Sequence, residues 1–569
     1  MVQAALGERI GLACVAICLG GAVASGQSLV HRVPGSAAAE RFGSAVASLG
    51  DIDGDGRADF AVSAPMAGAG YGRVRLHSGV DAHSIWEITG PAAGASFGSS
   101  LAAVGDIDGD GICDLAIGAH LASAPGAVGC GLVRLVSGAN GITIRDRRGD
   151  SGGDHMGWSV AAAGDVDHDG VPDVLGGAID DDDLGESTGS VRIWSGASGA
   201  TIRTLVGAGS REIFGWSLSG GADVDGDGTS DVVAGGPYFT ITPASGVVRA
   251  HSGATGALLW SAAGPGVYDG FGSAVALVGD VDGDGRSDVL AGARQPFTGG
   301  TGYARLLSGA SGALIHHIPG ASLDRRFGAA LCAAGDVDYD GVPDFAVGAP
   351  EASRNGSQSG LVRLFSGASA NVLHEYLGAG TGHLFGTSVA SGGDLTGEGG
   401  PDLLFGAPSE PAAGTNSGAA YAYRGSDLPP PQAPAPRDPL EANAVEVSIS
   451  GKGVQTLVLR AGPEHAGRRF VMLGSSHGTE PGFDLGLVHV PLQFDRYTRV
   501  SLCAPRIAPI APVYGELSAD GSAEVEFHVS RLRPPVFWVG RTLHHAYLVL
   551  GDTRAPIYAS NPVAVTILP

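Results

Sequence analysis

The sequence predicts an all-β chain organised as a seven-bladed β-propeller followed by a small β-sandwich, and three observations carry the propeller. A unit of 55 to 59 residues recurs seven times in register. Each unit divides into four short strand-like runs separated by tight turns. The last unit lacks its fourth run, while a matching run stands alone near the start of the chain. Seven four-stranded units fall within the usual range of propeller blades. A linear solenoid would not need complementary ends.

The frame of the unit is set by two anchors. Phe-Gly occurs at Phe42, Phe97, Phe214, Phe271, Phe327 and Phe385, with Met156-Gly157 in the third unit, always nine residues before an acidic loop. A Ser-Gly pair closes a strand at Gly79, Gly138, Gly196, Gly253, Gly309 and Gly367, and Arg424-Gly425 takes its place in the last unit. From each of the first six glycines to the next Phe or Met is always 18 residues. Only the interval from the first loop Asp to the closing Ser or Arg varies, between 27 and 31 residues. Length variation is therefore confined to one connection per unit.

Within the first unit the pattern predicts strand A at 42–49, B at 58–63, C at 72–77 and D at 84–89. Strand A is rich in Ser, Ala and Gly, which suits the innermost position where blades crowd the axis. The seventh unit ends after strand C at Ala420 to Arg424. The run 29–34 aligns with strand D of the first unit at the same offset from the next Phe-Gly. An N-terminal strand there would complete the seventh blade and hide two sheet edges at once.

The A–B loops carry the chemistry. Carboxylates recur at positions 1, 3, 5 and 9 with glycine at 6, a spacing that wraps a hard cation such as Ca²⁺ in oxygen ligands. Position 7 would add a backbone carbonyl. The ligand sets are Asp51, Asp53, Asp55, Arg57 and Asp59, then Asp106, Asp108, Asp110, Ile112 and Asp114, then Asp165, Asp167, Asp169, Val171 and Asp173. They continue as Asp223, Asp225, Asp227, Thr229 and Asp231, then Asp280, Asp282, Asp284, Arg286 and Asp288, then Asp336, Asp338, Asp340, Val342 and Asp344. A seventh loop, with Asp394, Thr396, Glu398 and Asp402, keeps oxygens but loses one carboxylate and lengthens another. Six strong Ca²⁺ sites and a degenerate seventh are expected, each clipping an A–B hairpin. Four uncompensated carboxylates so close together would otherwise repel one another.

Phe-Gly, then Asp-x-Asp-x-Asp-Gly-x-x-Asp, then Gly-Ala-Pro at Gly348 and Gly406 (Ser-Ala-Pro at Ser63) resembles the FG-GAP repeat of integrin α-subunit propellers. The resemblance covers roughly residues 28 to 426. Gly-Ala-Pro decays in the other four units, for example to Gly118-Ala119-His120 and Gly292-Ala293-Arg294. It implies Ca²⁺ on one face of the ring and ligands on the opposite face.

Alternation of strand direction places A–B and C–D turns on one face and B–C and D–A connections on the other. The variable B–C loops, and with them any binding function, belong to that second face. Candidates there are His120, the acidic run Asp180 to Asp183, Tyr238, Phe239, Arg294 and Phe297, each of which could equally be an ordinary loop residue. The Asp180 run could also hold an extra cation.

Composition narrows the partners. The formal net charge is −24, but the seven loops hold 27 of the 58 acidic side chains. Seven bound Ca²⁺ would bring the charge to about −10. No basic face stands out, which argues against nucleic acid. An apolar run from Ile10 to Val23 after Arg9, then small residues, reads as a secretory signal over 1–26, and no second membrane span appears. Cys113, Cys130, Cys332 and Cys503 have no framework spacing and are expected as free thiols. The propeller is expected over 28–426, a proline-rich linker over 427–440 and the sandwich over 441–569. His544-His545 in that last part is expected to be partly buried.

No nucleophile elbow, phosphate loop or zinc-protease helix is present. The sequence thus predicts a secreted or cell-surface, non-catalytic recognition or adhesion module with an extracellular protein or glycan ligand on the B–C face. The alternatives are a purely structural surface protein and an enzyme acting on polysaccharide.

Overall fold

A computed structural model describes residues 28–238, 244–295 and 299–425, together with the strand backbones within 441–568. Seven antiparallel four-stranded sheets make up the first part. In the first blade the strands are Val46–Gly50, Asp59–Ala64, Arg73–His77 and Ser84–Thr89, paired in that order. The other complete blades repeat this order, and A strands of successive blades pack against one another around the axis.

The seventh sheet is Val389–Gly393, Asp402–Ala407, Ala419–Tyr423 and, as its outer strand, Leu29–Pro34 from the start of the chain. His31, Arg32 and Val33 pair with Ala422, Tyr421 and Ala420. Phe42 then bridges to Gly418, as Phe97 does to Gly72 between the first and second blades. The chain closes its ring with the same contact that joins ordinary neighbours.

Two features of the anchors are steric. The six phenylalanines and Met156 are all buried, at 1% exposure or less, between successive sheets. Strand C arginines lie over five of these rings, Arg75 over Phe42 and Arg363 over Phe327 at 5.7 Å each. Gly43 has a φ of +85°, and a Cβ there would come within 2.3 Å of the Ala419 carbonyl oxygen. Serines of strand A bind across blades: Ser100 Oγ donates to the Gly157 carbonyl, Ser159 to Gly215 and Ser217 to Gly272. The small, polar inner strand is thus a hydrogen-bonding surface as well as a thin one.

Observed strands A start later than expected, because the Phe-Gly pair belongs to the D–A connection in five blades. Only Met156–Gly164 and Phe271–Gly279 run through it. In each blade strand A gains one extra residue opposite strand B just before the loop, as between Ser48 and Gly50. Such a bulge bends the strand end and re-aims the loop that follows.

Compact units divide at Pro430 and Pro431. Among the described residues the second holds a four-stranded sheet, a six-stranded sheet and a two-stranded ribbon. Its longest strands are Thr542–Leu550, Val454–Arg460, Arg469–Ser475 and Ser522–His528. One pairing is parallel, Glu446–Ser448 with Val563–Leu568. The side chains of His544, His545 and Cys503, the expected signal segment and linker, and Phe239 and Phe297 lie outside the described residues.

Candidate metal centres

Every A–B loop is wound by its own carboxylates. In the first, Asp51 accepts from the backbone N–H of Gly54 (2.7 Å), Asp55 (3.1 Å) and Gly56 (2.9 Å). Asp53 accepts from Asp55 N–H and Asp55 from Arg57 N–H. Gly56 supplies the left-handed turn, with φ +88°. The same bonds recur in the fifth loop on Asp280, Asp282 and Asp284. These loops hold their carboxylates converged without help from any cationic side chain.

Convergence is tight. Ligand atoms of Asp51, Asp53 and Asp59 lie within 4.8 Å of one another. So do those of Asp106, Asp108 and Asp114, of Asp165, Asp167 and Asp173, of Asp223, Asp225 and Asp231, and of Asp280, Asp282 and Asp288. First and third positions are exposed or half-buried, whereas the ninth is fully buried in six loops and 1% exposed in the seventh.

That burial has a second cause. Asp59 Oδ2 accepts from Ile52 N–H (2.8 Å), and its Oδ1 accepts from Gly79 N–H (2.9 Å) across the C–D turn. The bond to the Ser-Gly glycine recurs in every blade: Asp114 with Gly138, Asp173 with Gly196, Asp231 with Gly253, Asp288 with Gly309, Asp344 with Gly367 and Asp402 with Gly425. The glycine is required sterically, since a Cβ on Gly79 would meet the Ala58 carbonyl oxygen at 2.1 Å. Burial pushes all seven ninth-position carboxyls above the ordinary range, against the pull of these N–H donors. Asp114, Asp173 and Asp344 reach about 6.

The same glycine reaches the neighbouring blade. His31 Nε2 donates to the Gly79 carbonyl (2.7 Å), Trp86 Nε1 to Gly138 (2.7 Å) and Arg145 to Gly196 (2.9 Å). Arg203 donates to Gly253 (2.8 Å) and Trp260 to Gly309 (2.6 Å). Each donor stands eleven residues before the next Phe or Met, where the remaining blades carry His316 and His374. Sequence reading missed this position because the residue types differ. The signal that could have found it is an N–H-bearing side chain at one fixed offset in seven units.

The seventh loop keeps the frame. Asp394 accepts from Glu398 N–H and Gly399 N–H, and Asp402 from Thr396 N–H. Its difference is electrostatic: Arg424, standing where other blades have serine, pairs with Glu398 at 2.6 Å. Among the described residues this is the one ion pair that takes a carboxylate of these loops.

On the opposite face, three buried acids pair with arginine. Glu212, fully buried, accepts from Ala208 and Gly209 N–H and from Tyr238 O–H and pairs with Arg249. Asp324 accepts from Ala321 N–H and pairs with Arg354 (2.9 Å) and Arg363 (2.7 Å). Glu410 pairs with Arg32 and accepts from Tyr421. Burial, with the Glu212 charge beside it, pushes the Tyr238 phenol up to about 12. Tyr238 thus has a structural task. Of the acidic run, Asp180 pairs with His155 (2.8 Å), and Asp181 accepts from Ser190 Oγ (2.6 Å) and lies 3.7 Å from Arg192. These bonds account for half of the run without a cation.

Connections on this face vary as expected. B to C spans 65–72 in the first blade and 120–131 in the second, while the A–B spans 51–58 and 106–113 are equal. Cys113, Cys130 and Cys332 are free thiols, and burial pushes Cys332 up to about 12.

A family model described as the FG-GAP repeat matches residues 42–77, 97–129, 214–256, 271–307 and 327–365. The unmatched blades are the third, with Met156 for phenylalanine, and the seventh, with the worn loop. Integrin alpha-V of Gallus gallus is 34% identical over 202 residues, covering 33% of this chain and 19% of that protein. Integrin alpha-PS2 of Drosophila melanogaster is 34% identical over 209 residues (33% of this chain, 14% of that protein). Integrin alpha-5 of Xenopus laevis is 32% identical over 219 (34% and 20%). The match spans a fifth or less of the length of each of these relatives. Repeats, relatives and blade count agree on an integrin-alpha-like FG-GAP β-propeller.

Proposed function

We propose that this integrin-alpha-like propeller is a Ca²⁺-stabilised, non-catalytic recognition or adhesion module working outside the cell. The observation that carries the reading is the contrast in charge compensation. The first six loops hold carboxylates that no arginine pairs with, and in five of them those at positions 1, 3 and 9 lie within 4.8 Å of one another, while Glu212, Asp324 and Glu410 on the opposite face each pair with arginine. Oxygen-only donor sets of this kind suit a hard divalent cation. The residues that would hold it are those at positions 1, 3, 5 and 9, with the carbonyl of position 7. Bound there, the ion would neutralise the loop and fix the A–B hairpin to strand B.

In the seventh loop Arg424 supplies positive charge to Glu398, so six ions are proposed and not seven. Recognition is assigned to the B–C face, where connection length varies over a constant scaffold. An extracellular location fits the apolar run from Ile10 to Val23. No helix among the described residues is long and apolar enough to cross a membrane.

The test is calcium titration of the chelator-stripped full chain, read by calorimetry for stoichiometry and by thermal unfolding for linkage. Six bound ions and a midpoint that rises with calcium support the reading, because ions held only by the folded state stabilise it by mass action. A midpoint indifferent to calcium would sink it.

A further inference from the structure

The donors that latch one blade to the next stand at one offset in every unit. Two places further on, six blades carry Ile88, Leu205, Ala262, Ile318, Tyr376 or Val33. Leu205, Ile318, Tyr376 and Val33 are buried there. The second blade departs from this pattern with Arg147. A charged head group thus enters a seam that the other blades fill with apolar or aromatic side chains.

Arg147 and the latch residue Arg145 alternate with Asp146 along strand D of the second blade, Thr143–Arg148, and both turn toward the third blade. There they crowd its C–D turn. Arg145 donates to the Gly196 carbonyl (2.9 Å) and the Ala197 carbonyl (3.0 Å). A Cβ on Gly199 would stand 2.5 Å from Arg145 Nη1 and closer still to Arg147 Nη2. The two guanidinium groups therefore share one small space beside Gly199. Asp146, the acid between them in sequence, turns the other way and pairs with Arg134 (2.7 Å). Arg147 Nη1 donates over a long 3.3 Å to the Asp146 carbonyl, while Arg147 Nε is buried without a hydrogen-bond partner. Burial and the adjoining Arg145 charge hold the Arg147 guanidinium below the usual arginine range. Among the described residues no carboxylate forms an ion pair with Arg145 or Arg147, in a chain whose net charge is −24.

Like charges this close repel, and a buried donor left unused is costly. An arginine present only to cover the seam would lay its methylenes along it and carry its head into water. We infer that this seam binds a tetrahedral oxyanion, a sulfate or phosphate group, bridging Arg145 and Arg147. Guanidinium forks take such oxygens in pairs. A group with three free oxygens reaches both forks, where a single carboxylate fills one. The group can arrive as a free ion or as an ester on a polysaccharide, with the same chemistry at the arginines. The site stands at a C–D turn, on the Asp-loop side of the ring, and does not depend on recognition by the B–C face.

The experiment titrates sodium sulfate, against sodium chloride at matched ionic strength, into the calcium-loaded full chain, read by calorimetry and unfolding midpoint. Sulfate also strengthens folding non-specifically, so the readout is the difference between wild type and Arg147→Leu. That variant matches Leu205 at the same offset in the third blade. It should keep its midpoint in chloride and lose sulfate affinity about tenfold or more. Arg145→Trp, matching Trp86 of the first blade, should keep the latch and lose affinity similarly. Arg211→Ala removes an equal charge elsewhere and should leave sulfate binding unchanged. A sulfate gain as large in Arg147→Leu as in wild type overturns the inference, and so does a variant that only lowers the midpoint in chloride. A sulfated disaccharide and its desulfated form separate the sources. Tighter binding of the ester than of inorganic sulfate, lost in Arg147→Leu, makes the ligand a sulfated glycan, and equal affinity makes it the free ion. If an acidic peptide binds the seam and sulfate does not, a protein partner occupies it and the inference falls.

Discussion

The two faces of the ring hold acids in opposite ways. On the Asp-loop face, first- and third-position carboxylates converge at the surface with only backbone N–H groups for company. On the other face, Glu212, Asp324 and Glu410 are buried, and each is paired with arginine from strand C, strand D or a B–C loop. A buried carboxylate without a partner costs several kcal/mol, and these three have theirs within the fold. In the first six Asp loops no arginine does this, which is why the proposed function draws the compensating charge from solution as Ca²⁺. Arg424 shows the difference within one face: where an arginine arrives, the loop beside it has lost an aspartate.

The contrast can be broken in graded steps. Removing calcium should have the largest effect, since each site held at a hundredfold its Kd contributes about 2.7 kcal/mol and six act together. Chelation followed by thermal melting measures it, and readdition of calcium should restore the midpoint. Next comes Glu212→Gln, which strands Arg249 in the interior and should cost about 3–5 kcal/mol. Its cost by urea unfolding should be the same with calcium or chelator. A calcium-dependent cost would mean that the faces are coupled.

Asp288→Ala sits between the two cases. Its carboxylate accepts from Val281, Asp282 and Gly309 N–H, so its loss should destabilise by about 2–4 kcal/mol even in chelator, with a further loss in calcium. Asp282→Ala should differ sharply. In chelator its effect stays within about 0.5 kcal/mol, and only in calcium does the midpoint fall, with one fewer ion counted by calorimetry. The smallest effect is expected from Arg424→Ala, an exposed pair worth about 0–1 kcal/mol. Its informative readout is stoichiometry: a seventh weak ion would show that Arg424 stands in for the cation.

Much of this was legible in the residues because the repeat fixed the offsets. Phe-Gly nine residues before each loop, and Ser-Gly 18 before the next Phe, located strands A to D within a few positions. The missing strand at one end and the spare one at the other placed ring closure, and Leu29–Pro34 pairs with Ala419–Tyr423. Strand A was read too early because Phe-Gly looks like a strand start. In most blades it instead bridges to the glycine before the preceding blade's strand C.

What the sequence determined by itself was periodic: blade number, loop chemistry and the face on which length varies, since each follows from spacing along the chain. What tertiary structure decided was between blades. The ninth Asp bonds a glycine 20 to 24 residues away, and in five blades that glycine takes a donor from the previous blade. Trp158, Trp216, His120 and Arg294 come from four blades into one arc. No local spacing encodes such meetings, because they arise when sheets close around an axis and bring distant residues at equal heights together.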